Sequence, residues 1–88
     1  MKITVQKLFE KDINKISNKK LASQVNFAIE EMEKATQLSH LPNIKKMIAK
    51  GNYYRLRIGN YRLGFKVEND TIILLRFMHR KDIYNYFP

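Results

Sequence analysis

Polar and apolar residues alternate from Lys2 to Lys7, with Ile3 and Val5 on one side and Thr4 and Gln6 on the other. A period of two predicts a short opening strand. The period then lengthens. From Leu8 to Ile16, Phe9, Ile13 and Ile16 recur at helical spacing and predict a short amphipathic helix, which Ser17-Asn18 ends while capping the next. In the second helix Leu21, Val25, Ala28, Ile29, Met32 and Ala35 form one apolar stripe, and Lys20, Gln24, Glu30, Glu31 and Lys34 fall largely outside it. Pro42-Asn43 closes this region, and Ile44 to Lys50 reads as a connecting turn or strand.

The second half reads as a meander. Tyr53 to Ile58, Tyr61 to Val67 and Thr71 to Met78 are rich in β-branched and aromatic residues, separated by Gly59-Asn60 and Asn69-Asp70. Both pairs tolerate the positive φ of two-residue hairpin turns, so the three strands must be antiparallel neighbours. Lys81 to Phe87 predicts a last helical turn or two. The order β-α-α-β-β-β with a short helical tail makes residues 1–88 one α+β domain. Its two N-terminal helices should pack on one face of a small, mainly antiparallel sheet and leave the other face open to partners.

Strand alternation assigns side chains to those faces. Tyr54, Leu56 and Ile58, then Tyr61, Leu63, Phe65 and Val67, then Ile73, Leu75 and Phe77 are expected under the helices. The opposite set includes Tyr53, Arg55, Arg57, Arg62, Lys66, Ile72, Leu74, Arg76 and Met78, with Arg80 just beyond. Six cations thus gather on one side of one sheet.

Charge gives that cluster its meaning. Seventeen Lys+Arg against eight Asp+Glu leave a formal +9, and most of the acids lie in the helices. Such an excess calls for an anionic partner. Arginine suits phosphate because its planar fork meets two oxygens at once, and interleaved tyrosines offer flat surfaces to unpaired bases. Lys45, Lys46 and Lys50 add backbone contacts to RNA or are simply solvated, and Tyr53, Lys66 and Arg76 join them as candidate RNA contacts. The alternative for Arg76 and Lys66 is pairing with carboxylates.

Other classes are poorly supported. No apolar run approaches the roughly 18 residues of a membrane span, and no signal-peptide core follows Lys2. Absence of cysteine excludes a disulfide framework and fits a reducing, cytoplasmic setting. There is no glycine-rich phosphate loop, no histidine pair at metal spacing and no serine with a partner base. Carboxylates are too few in the basic half for a two-metal nuclease. Neither a metal nor a cofactor is expected.

Two stretches carry a family resemblance. Tyr54-Arg55-Leu56-Arg57-Ile58-Gly59-Asn60-Tyr61-Arg62-Leu63 resembles the YRLRIGDYR signature of RelE-type toxins, and His79-Arg80-Lys81-Asp82-Ile83-Tyr84 is similar to that family's closing HRxxxY pattern. With the upstream elements in matching order, the resemblance covers essentially the whole chain. It implies the toxin of a type II toxin–antitoxin system: a ribosome-dependent endoribonuclease that cuts mRNA without metal by 2′-hydroxyl attack, leaving a 2′,3′-cyclic phosphate. Its active-site cations map onto Arg55, Arg57, Arg62 and Arg80, and the closing tyrosine onto Tyr84. Well-studied members carry lysines at the first two positions.

His79 is either an acid for the leaving 5′ oxygen or a structural residue at the strand end, where alternation puts it with the core. The implied partners are mRNA on the ribosome and a cognate acidic antitoxin, with the toxin a monomer alone and part of a higher-order complex with its antitoxin. Because gyrase-poisoning ParE toxins share the fold and much of the strand signature, a gyrase inhibitor without nuclease activity stays open. So does a non-catalytic RNA-binding module.

Overall fold

The opening alternation becomes β1 (Lys2–Val5), and the two helical periods become α1 (Lys7–Asn14) and α2 (Lys19–Lys34). Asn18 caps α2, its Oδ1 accepting from the Leu21 N–H at 3.1 Å. After a 3-10 turn at Leu38–His40 come β2 (Ile44–Lys46), β3 (Tyr53–Ile58), β4 (Tyr61–Glu68), β5 (Thr71–His79) and α3 (Arg80–Tyr86). The computed structural model describes residues 1–47 and 51–87. The segment at 44–50 is thus a strand over its first three residues, paired antiparallel with β3.

The five strands form one sheet in the order β1-β5-β4-β3-β2, antiparallel except for β1 beside β5. Of the first hairpin pair, Gly59 takes φ 58°, while in the second both Asn69 (48°) and Asp70 (64°) are left-handed. One positive φ at the first central residue is the II′ pattern, and two make the I′ pattern. Either way Ile58 faces Tyr61 and Glu68 faces Thr71, so the loops fix the register.

The main core lies between the helices and one face of the sheet. Phe9, Val25 and Met32 from the helices meet Leu56, Ile58, Leu63, Phe65, Ile72, Leu74 and Phe77, all buried. In β5 this departs from simple alternation, which had assigned Ile73 and Leu75 to the core and Ile72 and Leu74 to the open face. The register shifts between Gly64 and Phe65: Gly64 faces Arg76 but Phe65 faces Leu74, leaving Leu75 as an extra residue. A bulge of one residue reverses the parity of everything on one side of it. Ile72 and Leu74 therefore enter the core, while Phe77 keeps its assigned side.

A second departure concerns the far face, which is not left open. Helix α3 folds back over it and buries Ile83 and Phe87. Arg55, Gly64 and Arg76 form one row across β3, β4 and β5. Phe87 lies over the gap at the glycine, so close that a Cβ on Gly64 would stand 2.8 Å from its ring. The Tyr84 ring stacks on Arg55 and the Tyr86 ring on Arg76, with 4.7 and 5.9 Å from guanidinium carbon to ring centroid. Cation–π contacts thus flank an aromatic plug.

Arg76 is held from the other side too. Strand β1 runs alongside β5 only to Leu74, so the edge N–H of Phe77 has no strand partner there. Asp12 of α1 takes its place. Its Oδ2 accepts from Phe77 N (2.9 Å) and Arg76 Nε (2.8 Å), and its Oδ1 from Arg76 Nη2 (3.1 Å). Hydrogen bonding to Asp12 holds the Arg76 guanidinium above its ordinary pKa, against the opposing pull of burial.

Two outcomes follow for stability. Asp12→Ala orphans both the Phe77 N–H and the Arg76 charge. Urea unfolding should show a loss of roughly 2–4 kcal/mol, below the full cost of breaking a buried pair because Arg76 keeps some water contact. Gly64→Ala should cost about 1–3 kcal/mol by overpacking, and that cost should vanish in a Phe87→Ala background if the ring is what the new methyl strikes.

Candidate active site

The tight turn at Gly59-Asn60 sets Arg57 directly opposite Arg62. The Arg57 N–H points away from β4, to the Asn43 carbonyl at 2.9 Å. The Arg57–Arg62 pair is therefore of the non-hydrogen-bonded kind, in which facing side chains sit closest. Like charges so placed repel. Two residues along β3 on the same face lies Arg55, flanked by Lys45 of β2. Arg80, exposed at the start of α3, is anchored by its N–H to the Asn60 carbonyl at 2.8 Å.

Each guanidinium is partly tethered and partly free. Arg62 Nη1 donates to the carbonyls of Gly59 (3.0 Å) and Tyr61 (2.9 Å), which leaves its other nitrogens unused by those bonds. Arg57 Nη2 donates to Asn43 Oδ1 at 3.3 Å. Arg55 lies under the Tyr84 ring, and that ring is 71% exposed. Asn43, Ile44, Lys45, Arg55, Arg57, Arg62 and Tyr84 enclose a cleft of about 280 Å³. No carboxylate of the described residues lines it. Burial, followed by the charges of Arg57, Arg80 and, less strongly, Arg55, pulls the pKa of Arg62 below its ordinary value, with Tyr84 partly offsetting them. Arginine remains charged regardless, so the cleft has the charge to receive an anion.

Arg55, Arg57, Arg62, Arg80, Tyr84 and Lys45 are thus brought together. The remaining candidates are not. Arg76 spends its guanidinium on Asp12. Tyr53 leans on Phe87, 5.9 Å between ring centroids. Lys66, opposite Tyr53, lies 3.6 Å from Glu68, four residues or about 13 Å along the sheet from the Arg57–Arg62 row. Lys46 faces Tyr54 and so projects from the helix-covered side. Lys50 falls outside the described residues.

His79 also parts from the arginines. It pairs with Tyr61 on the core-facing side, packs edge-on to that ring at 5.5 Å, and accepts the Lys81 N–H at Nδ1 (3.2 Å) as the N-cap of α3. Of its two readings the structural one fits this placement. Acceptance at Nδ1 requires the ring proton to sit on Nε2.

Two residues of the site escaped the sequence reading. Asn43 reads only as closing, with Pro42, the region before β2, although its tolerance of left-handed backbone, realised here at φ 64°, is a legible signal. Gly64 has no role that the sequence alone assigns, since its place as the seat of Phe87 depends on where a distant tail packs.

Comparison with known proteins agrees with this architecture. Residues 3–84 match the family described as ParE toxin of type II toxin-antitoxin system, parDE. A protein named Toxin RelE3 from Methanocaldococcus jannaschii is 43% identical, with both chains covered in full. In the crystal structure of the RelB-RelE antitoxin-toxin complex from Methanococcus jannaschii, the matching chain is 40% identical with a TM-score of 0.82, over 97% of this chain and 99% of that one. The RelE-RelB complex from Pyrococcus horikoshii matches at 19% identity and a TM-score of 0.73, over 90% of this chain and 93% of that one, which bears on the fold alone. With the family match spanning nearly its whole length, the chain belongs to the RelE/ParE superfamily of toxins of type II toxin–antitoxin systems.

Proposed function

We propose that this toxin is a ribosome-dependent endoribonuclease that cleaves mRNA without metal. The observation that carries the reading is the cleft where Arg55, Arg57 and Arg62 converge beside Tyr84, with no carboxylate of the described residues in its lining and Arg80 near enough to act on Arg62. In the reaction, the 2′ oxygen of one nucleotide bonds to the adjacent phosphorus and the bond to the 5′ oxygen breaks. One proton leaves the 2′-hydroxyl and one arrives on the 5′ oxygen. The products are a 2′,3′-cyclic phosphate and a 5′-hydroxyl. The pentacovalent transition state gathers charge on its non-bridging oxygens, and fixed guanidiniums bind that charge more strongly than the ground state, which is the condition for acceleration. Arginines act here on charge, since they do not give up protons near neutrality. Tyr84 offers its exposed ring to a base beside the scissile phosphate.

The 43% identical relative named as a RelE toxin supports this reading. The match to a family described as ParE favours a second one, inhibition of DNA gyrase by binding. In both, a cognate antitoxin restrains the toxin. The solved relative at 40% identity is a complex of RelB with RelE, and an acidic helical segment would offset the charge of the cleft. The toxin would be a monomer alone and part of a larger assembly with its antitoxin. No helix among the described residues is long and apolar enough to cross a membrane. Action on ribosomes would require a cytoplasmic location.

Induction without antitoxin should halt translation, and mapping RNA 5′ ends should reveal new internal ends in messages. Intact messages with broken DNA would support the gyrase reading instead. Arg62→Ala should stay folded, lower cleavage on the order of 10²–10³-fold and relieve toxicity; full toxicity would refute the site. His79→Asn preserves a capping acceptor but removes the titratable ring, and should leave the cleavage rate within about threefold, far from the roughly 10²–10⁴-fold loss that follows removal of a general acid.

A further inference from the structure

We propose that Asn43 is a positioning residue that holds the Arg57 guanidinium in the cleft. The inference rests on reading that cleft as the RNA site. Arg57 is exposed and faces Arg62 directly, with Arg55 two residues away on the same face, so repulsion drives it outward. It also has somewhere to go. Arg57 and Asn43 line both the cleft and a larger groove of about 490 Å³ between α2 and β3, whose walls include Phe27, Met32, Leu41 and Pro42. Asn43 stands between the two spaces and supplies Oδ1 to Arg57 Nη2 at 3.3 Å.

The same residue does a separable structural job. Its carbonyl accepts the Arg57 N–H at 2.9 Å, which anchors the chain entering β2 beside β3. Its φ of 64° favours glycine over any other residue. Glycine would satisfy both the backbone bond and the dihedral, so the amide is what asparagine adds here. An exposed hydrogen bond of this length adds little to stability. Its consequence lies in orientation, because misplacing a catalytic group by about 1 Å can cost on the order of 10²-fold in rate.

A double-mutant cycle separates orientation from folding. Single-turnover cleavage of mRNA on programmed ribosomes gives a maximal rate and a half-saturating toxin concentration. Asn43→Gly should lower the maximal rate about tenfold, with half-saturation changed less than about twofold and the unfolding midpoint unaltered. Asn43→Asp keeps the acceptor and should restore most of the rate, while its negative charge raises the half-saturating concentration. In an Arg57→Ala background, Asn43→Gly should have no further effect. Equal effects in both backgrounds, or a fully active Asn43→Gly, would overturn the proposal. Failure of the wild type to cleave RNA would instead overturn the nuclease reading. The cycle is then measured as affinity for a fluorescein-labelled single-stranded RNA. Coupling between positions 43 and 57 sustains the positioning role, and its absence, or indifference of binding to Arg57→Ala, overturns it.

Discussion

Two arginines face each other across a pair of strands, and the hairpin allows them no escape by register. Two residues at Gly59-Asn60 fix Ile58 against Tyr61 and therefore Arg57 against Arg62. On the opposite face the neighbouring positions, Leu56, Ile58 and Leu63, are buried under the helices. Slipping the strands by one residue would put charges in the core and leucines in water. The fold thus converts hydrophobic burial on one face into enforced repulsion on the other. Burial first, and then that repulsion, lower the pKa of Arg62. An anion entering the cleft would relieve the repulsion, and in the proposed reaction a phosphate approaching a trigonal-bipyramidal state, with its added charge, would relieve it more.

The C-terminal helix belongs to the same arrangement. Gly64 interrupts a row of cations, Phe87 fills the gap, and tyrosines cover the arginines to either side. Asp12 fixes the outer arginine of that row from α1 while satisfying an edge N–H that β1 is too short to reach. The helix so seated carries Arg80 at its start and Tyr84 in its middle. Part of the sheet's charge therefore serves as scaffold for the rest: Arg76 holds the tail, and the tail holds Tyr84 over the cleft.

Much of this was readable from residues alone where the physics is local. Helix periods, the Asn18 cap and both hairpin turns follow from spacing and turn chemistry. So does the convergence of Arg55, Arg57 and Arg62, since alternation on β3 and β4 is unbroken. Alternation failed on β5 because a bulge leaves no mark in the hydrophobic pattern: Ile72, Ile73, Leu74 and Leu75 are all apolar, and either parity fits them. For Arg76 and Lys66 alternation gives the right face, and the carboxylate pairing weighed for both is what the structure holds; that Arg76 pairs with Asp12 in particular is not legible, as the contact spans 64 residues of sequence. Lys46 was grouped with Lys45 by adjacency, although neighbours on a strand point opposite ways. The far face looked vacant because nothing in the sequence says where a seven-residue helix packs.

What most directly tests the account is the chemistry of the RNA ends. The toxin, purified away from its antitoxin and added to ribosomes carrying a defined message, should generate fragments whose 3′ termini have the mass of a 2′,3′-cyclic phosphate and whose 5′ termini are free hydroxyls. A message with a single 2′-deoxynucleotide at the cut position should survive. Fragments bearing 5′-phosphates, or scission of the deoxy-substituted message, would contradict a site built from guanidiniums acting on an internal nucleophile.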